Sequence, residues 1–511
     1  MQVRLFGLKG FFKWRLASAA GIFRAMLAGC GGGGGTPGAP PVFAASSTLA
    51  ATCAAPRPAG AIDPFTRQPY GDKVGTLNDE KNWVRSWIDE TYLWYKEVPN
   101  LTATSYPTPV DYFNALKTPA ITSSGKPKDQ FHFVLDTAQW VALSQSGVEF
   151  GYGFELALLA ATPPRKALIA YTEPNTPAAG AGIVRGAEIL TVDGVNVVND
   201  GTQAGVDTLN NGLFPTAAGT HTFTIRDTPS SGTREVTLNA GTITKTPVQN
   251  VKTLAAPNQT VGYLQFNDHI ATSEQLLIDA INQLKTADVT DLVLDIRYNG
   301  GGYLDIASEL AFMIAGPNTT GGKTFERLNF NDKNPFGLTT AQATIPFHAV
   351  TQGFAGTGTQ NQSLPFLGLG KVFVLTGGGT CSASEAIVNG LRGVDVEVNL
   401  IGATTCGKPY GFFPKDNCST TYFSIQFQGV NEQGFGEYAD GFTPTCAVAD
   451  DFSHALGDPA EGRLAGALTY RDTGTCPTVS AMALSAGRAI LHAEPQLFRS
   501  PVRENRIYWT K

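Results

Sequence analysis

A strand that runs directly into a glycine cluster and then into a helix leaves few folds open to a chain. Val372-Phe373-Val374-Leu375-Thr376 reads as a strand, Gly377-Gly378-Gly379 follow, and after Thr380-Cys381-Ser382-Ala383 a helical pattern runs from Ser384 to Leu391. This order presents Ser382 at a helix N-terminus on a tight turn. A second strand-like run, from Val398 to Gly402, ends in Thr404-Thr405-Cys406-Gly407-Lys408. One strand end offers a hydroxyl and the next an amine, a nucleophile and base that need no histidine. Asp291 to Ile296 is a near-continuous apolar run, suited to burial on both faces of a parallel sheet. With Val261 to Phe266 as a strand and Ser273 to Leu284 and Leu304 to Ile314 as helices, the region from about residue 250 predicts an α/β architecture.

A chain of 511 residues suggests two to four domains at about 150 residues each. The net charge of -6 argues against a nucleic-acid partner. Arg4, Lys9, Lys13 and Arg15 precede a mostly apolar stretch from Leu16 to Ala28, and Leu27-Ala28-Gly29-Cys30 resembles a bacterial lipobox. Residues 1–29 are therefore expected to be a lipoprotein signal peptide, with Cys30 lipidated and the body facing the periplasm of a bacterial cell envelope. Membrane contact then comes from the lipid, because no later run reaches the roughly 20 apolar residues of a spanning helix. Residues 30–76, rich in Gly, Pro and Ala, are expected to be a flexible linker. Six further cysteines in an exported chain suggest disulfides. Cys406 with Cys418 is the expected pair across a short loop, and Cys381 is a candidate half-cystine stiffening its turn. No histidine cluster accompanies them, so no metal is expected.

Residues 77–145 predict a small helical N-terminal domain. Asn78 or Asp79 is the expected cap of a helix carrying Trp83, Val84, Trp87, Ile88, Tyr92 and Tyr95 as a core stripe, and a second helix is expected over Pro109 to Leu116. In residues 146–246, three stretches resemble a PDZ domain. They are Gly151-Tyr152-Gly153-Phe154, which looks like the carboxylate-binding loop, Pro177-Ala178-Ala179-Gly180-Ala181-Gly182-Ile183, and the Val192-Asp193-Gly194 turn. Converging backbone N–H groups of such a loop bind a terminal carboxylate, and the adjoining strand edge adds a peptide.

Asp295-Ile296-Arg297-Tyr298-Asn299-Gly300-Gly301-Gly302 ends a strand in a glycine turn whose N–H groups can face an oxyanion. Asp-Ile-Arg-x-Asn-x-Gly-Gly, Ser-Ala-Ser-Glu and Thr-x-x-Gly-Lys, in that order, resemble the C-terminal processing (tail-specific) serine proteases over roughly residues 77–470. That resemblance implies a crotonase-like catalytic core at 247–480 with an inserted PDZ-like domain, followed by a C-terminal tail at 481–511. It implies that Ser382 attacks, Lys408 is the general base, and Ala383 and Gly301 donate to the oxyanion. A lysine serves as base only when neutral, so burial must bring its value down from about 10.4. The implied activity is endopeptidase cleavage of unfolded or tail-bearing proteins and peptides without a cofactor. Many family members have glycine after the lysine and an amine-orienting glutamine four positions beyond it; here Pro409 and Phe412 stand there. Glu385 and Asp395 are candidates for supporting the pair. The competing readings are a Ser-His-Asp hydrolase, for which no Gly-x-Ser-x-Gly elbow exists, a cysteine protease using Cys381, and an inactive tail-binding lipoprotein scaffold.

Overall fold

The computed structural model describes residues 42–477, apart from 161, 229–231, 255–256, 258–259 and 355–359, together with the strands Gln496–Phe498 and Arg506–Tyr508. The leader and Cys30 lie outside the described residues. Among the described residues no helix is long and apolar enough to cross a membrane.

Helix α1 (Leu77–Thr91) starts nearly two turns before its first aromatic residue, Trp83. Its cap is Thr76, not Asn78 or Asp79: Thr76 Oγ1 accepts from the Asp79 N–H, and Asp79 accepts from the Thr76 N–H. This reciprocal pair satisfies two donors that a helix start otherwise leaves bare. Trp83, Trp87 and Tyr92 are buried, and the two indoles stack with centroids 5.5 Å apart. The expected second helix is present at Pro109–Ala115. These helices pack into one hydrophobic core with the region that follows the β-rich lobe.

The expected flexible linker is ordered from residue 42. Arg57 donates to Asp72 and pairs with Asp416, and Cys53 is bonded to Cys418. Cys418 therefore does not pair with Cys406. It sits at the turn of a hairpin (Lys415–Asn417 with Thr420–Phe423) whose second strand pairs with Phe133–Asp136. Cys406 bonds Cys381 instead, and Cys446 bonds Cys476.

Residues 148–244 form a β-rich lobe around its own core. Strand β1 (Phe154–Ala160) leads this sheet, pairing antiparallel with Lys166–Thr172. The rest of the molecule is built on a six-stranded sheet. In chain order its parts are β2 (Val248–Thr253), β3 (Val261–Phe266), β4 (Asp291–Asp295), the short β5 (Gly301–Tyr303) outside this sheet, β6 (Lys371–Thr376), β7 (Glu397–Gly402) and β8 (Cys446–Ala447). The spatial order is β2-β3-β4-β6-β7-β8, parallel except for β2 with β3. The apolar runs of β3 and β4 are buried on both faces, as parallel strands require. Helix α2 (Ala383–Gly393) follows β6. Two late strands return to distant places: β9 (Gln496–Phe498) pairs antiparallel with β1, and β10 (Arg506–Tyr508) pairs parallel with β5.

A buried charge cluster joins lobe to core. Arg297 donates to Asp295, Asp450 and Glu461, all within 2.6–2.9 Å. Arg185 from the lobe reaches Asp450 and the Tyr298 hydroxyl, both at 2.6 Å, and Tyr298 donates in turn to Asp450. Burial alone raises the Asp450 carboxyl, but the charges of Arg185, Arg463 and Arg297 outweigh it and hold the group well below its ordinary range. Glu461 is likewise lowered, burial opposing and Arg297 prevailing. Their stabilisation is thus present above the unfolded-state values and lost as pH falls through the depressed folded ones. Removing the guanidinium leaves buried carboxylates unpaired, so Arg297→Ala is expected to cost about 3–5 kcal/mol in urea unfolding. A loss within the ~1 kcal/mol of a surface pair would show that the cluster does not hold the core.

Candidate active site

Ser382 is the N-cap of α2, with φ 63° and ψ -122°. A non-glycine residue in that region is strained, and such strain persists only where surrounding structure imposes it. Here the imposition is visible. The Cys381 N–H donates to the Asn299 carbonyl at 3.1 Å, and Thr380 Oγ1 donates to the Ile296 carbonyl at 2.9 Å. The turn after β6 is thereby sewn to the turn after β4. Ser384 Oγ is committed to the same Asn299 carbonyl at 3.0 Å. Ser382 Oγ, by contrast, is buried without any hydrogen-bond partner. Of the two serines, only Ser382 has its hydroxyl uncommitted.

Glu385, in the first turn of α2, binds both the Ser382 turn and the Lys408 turn. Its carboxylate accepts from the Ser382 N–H (2.9 Å), the Gly407 N–H (2.9 Å), the Lys408 N–H (2.8 Å) and Thr405 Oγ1 (2.5 Å). Burial pushes its carboxyl up, against donors that favour the charged form. Lys408 is fully buried. Its Nζ lies 4.2 Å from the centroid of the Phe412 ring and 5.2 Å from that of Phe131. The position where the resembling family carries an amide thus offers an aromatic face to the amine. Ser382 Oγ and Lys408 are not hydrogen-bonded in this state.

The expected oxyanion donors differ in availability. The Ala383 N–H is at the first turn of α2, where helix donors lack intrahelical partners. The Gly301 N–H is not open: it donates to Asn299 Oδ1 at 2.9 Å, because the Asn299 side chain folds back over its own turn. A Cβ at Gly378 would meet nothing, whereas one at Gly302 (φ 145°) would lie 2.2 Å from the His269 carbonyl, and one at Gly407 (φ 88°) 2.2 Å from that of Ala439.

Asp395 takes no part. It is exposed beyond the end of α2, accepting from Gln433, since the chain has already turned toward β7. His269 was invisible to motif reasoning, yet it is buried against the Asn299 turn with Nδ1 3.0 Å from Asn299 Oδ1. Burial pushes its imidazole down to about 3. Cys381, Glu385 and Cys406 cluster closely enough for metal ligation, but the two sulfurs are bonded to each other. In the lobe, Gly153 (φ 88°) packs its Cα face against Thr176, Tyr152 donates to the Gly212 carbonyl at 2.7 Å, and Gly151 and Phe154 end and begin the flanking strands.

Residues 260–421 match Peptidase family S41, and residues 79–131 match the Peptidase S41 N-terminal domain. These two regions of the chain carry the domains of peptidase family S41. Two relatives named carboxyl-terminal-processing protease support the placement. The one from Picosynechococcus sp. PCC 7002 is 25% identical over 235 residues, 46% of this chain and 49% of its own length. The one from Synechocystis sp. PCC 6803 is 26% identical over 237 residues, 46% and 47%. The chain thus spans about half the length of the curated relatives it matches. A solved structure from Bacteroides fragilis NCTC 9343, described as an S41 protease, shares the fold with a TM-score of 0.60 at 24% identity, covering 77% of this chain and 97% of that one.

If Glu385 holds both turns of this candidate site, Glu385→Ala is expected to cut turnover by at least about 100-fold, as small misplacements of reacting groups do. Steady-state kinetics with a folded variant, verified by circular dichroism, checks this. A loss below threefold would remove Glu385 from the site's architecture.

Proposed function

We propose that this protein is a serine-type endopeptidase that hydrolyses peptide bonds through an acyl-enzyme, with Ser382 as nucleophile and Lys408 as general base. The observation that carries the reading is the Ser382 hydroxyl: strained into place, buried and uncommitted, on a turn that one carboxylate ties to the lysine's own backbone. Burial penalises a charged amine, which favours the neutral form that a base requires. On substrate binding Lys408 takes the Ser382 proton as Oγ attacks the carbonyl carbon. The developing oxyanion meets the Ala383 N–H. A second donor comes from the Gly301 turn once its N–H exchanges Asn299 Oδ1 for the substrate. Lys408 then returns the proton to the leaving amine, and water, deprotonated by the same amine, releases the acyl group.

Residues 146–246 are read as a PDZ-like domain inserted before a crotonase-like core. Support comes from the two strand pairings of the late segment. β9 lies on β1 next to the Gly151–Phe154 loop, and β10 lies on β5 at the glycine turn. Both edges therefore accept an extended chain, the geometry that strand addition uses. A cavity of about 730 Å³ reached by Tyr303, Trp140 and Phe354 continues beyond β5. Peptide substrates would occupy this path, with their C-terminal tails held at the lobe. Three disulfides fit an oxidising, envelope-facing setting.

Ser382→Ala and Lys408→Ala are expected to abolish cleavage of an unfolded protein, and so is Lys408→Arg, whose guanidinium stays protonated. Wild type that cleaves nothing, or alanine variants with full activity, would refute the dyad. Amidating the substrate's C-terminus is expected to slow cleavage; an unchanged rate removes the tail-reading role. Deleting residues 496–511 is expected to raise the rate on added peptide several-fold, because β9 and β10 occupy both edges. An unchanged rate would show that these strands do not compete.

A further inference from the structure

We propose that His269 is a positioning residue for the second oxyanion donor: its Nδ1–H holds the Asn299 side-chain oxygen, so that this oxygen can give up the Gly301 N–H to the reaction without being left bare. The proposal deepens the peptidase reading above, on which it rests, and concerns how the Gly301 turn opens.

The contacts fix what each atom does. Asn299 is pinned through its backbone, where the carbonyl accepts from the Cys381 N–H and from Ser384 Oγ. Its side chain is pinned as well. Nδ2 donates to the Phe266 carbonyl at 3.0 Å, which turns the amide oxygen toward the Gly301 N–H at 2.9 Å. His269 Nδ1 lies 3.0 Å from that same oxygen. An amide oxygen only accepts, so the hydrogen bond assigns the proton to Nδ1. Burial pushes the imidazole down to about 3, and the ring therefore carries that one proton at neutral pH. Nε2 is then a bare acceptor, and it is buried without a hydrogen-bond partner.

That bare nitrogen tells what the imidazole is for. A buried acceptor without a donor costs stability that a phenyl ring of similar shape avoids. Packing alone therefore does not call for histidine at this position, whereas the Nδ1–H does. Asn299 Oδ1 receives two donors in the resting state, Gly301 and His269. Of these the Gly301 N–H is the one able to leave. Gly301 and Gly302 have φ 97° and 145°, and glycine backbone rotates at little steric cost. The far side of the turn stays on His269, whose carbonyl accepts the Tyr303 N–H at 2.8 Å. The peptide that carries the Gly301 N–H can thus turn about a fixed pivot. Negative charge developing on the substrate oxygen draws this N–H more strongly than a neutral amide oxygen does. With His269 in place, Oδ1 keeps one donor as the other departs. Without the Nδ1–H, Oδ1 is left unpaired at that moment and at no other. The loss then falls on the transition state and spares the resting fold.

The experiment compares peptide cleavage and thermal unfolding of wild type, His269→Phe and His269→Asn. Phenylalanine keeps a ring and removes the donor. Asparagine puts an amide N–H near the Nδ1 position and empties the space of the ring. For His269→Phe, kcat is expected to fall by about 10- to 100-fold with KM within about twofold. Its Tm is expected within about 4 °C of wild type. For His269→Asn, Tm is expected below both, yet kcat is expected to exceed that of His269→Phe by at least about fivefold. Stability and kcat then rank the two variants in opposite order. Full kcat in His269→Phe overturns the proposal, as does a rise in KM with kcat unchanged, or a kcat that follows Tm across the three proteins. Nitrogen NMR of protein labelled at histidine reads the tautomer without catalysis, the His269 signals being those that vanish in His269→Asn. A protonated Nδ1 beside a bare Nε2 is expected, and a proton on Nε2 overturns the proposal. A wild type that cleaves nothing overturns the peptidase reading and this role with it, whereas an active wild type equalled by His269→Phe overturns this role alone.

Discussion

One carboxylate holds this site together. Glu385 lies on the helix that presents Ser382 and accepts from the backbone of the turn that presents Lys408. Two residues on successive strand ends have no intrinsic reason to keep a fixed separation. A buried anion with several donors provides one, because in a low-dielectric setting each lost hydrogen bond leaves a costly unpaired charge. The strained Ser382 backbone follows from the same constraint: its N–H must turn to Glu385 while the neighbouring Cys381 N–H reaches Asn299. Strain, burial and an uncommitted hydroxyl are thus one arrangement seen from three sides.

The glycine turn belongs to a second network. Arg297, Tyr298 and Asn299 are consecutive. The first two enter the cluster with Asp450 and Arg185, and the third receives Cys381, Ser384 and Gly301. The lobe that bears β1 is consequently in register with the turn that bears β5 through three adjacent residues. A shift of Arg185 would be felt first at Tyr298, next to Asn299, and only then at Ser382.

How much of this was legible in the sequence depended on range. The strand–glycine–helix order around Ser382, the buried strands β3 and β4, and Trp83, Val84, Trp87 and Ile88 of α1 are local patterns that appear where periodicity places them, whereas Tyr92 caps the helix end and Tyr95 lies beyond it, half-buried. Lys408 and Glu385 were found because motif spacing carries them. What escaped the sequence was long-range. The disulfide pairing could not be read, because whether Cys406 meets Cys381 or Cys418 depends on where a hairpin leans. Asp395 is near α2 in sequence but faces away from the site. The commitment of Gly301 to Asn299 is a side-chain choice that a glycine pattern does not encode. Residues 43–76 have the composition of a spacer, yet a few anchors, Cys53, Arg57 and Asp72 among them, suffice to fasten them.

The bond between Cys53 and Cys418, 365 residues apart, has a consequence of its own. It closes the lobe, the glycine turn, Ser382 and Lys408 into a single covalent ring. A proteolytic cut in any surface loop within that ring opens it without releasing a fragment. Such a molecule tolerates nicking as a circle tolerates one break: both new ends remain tethered through the sulfur bridge, and the core they share keeps them in place.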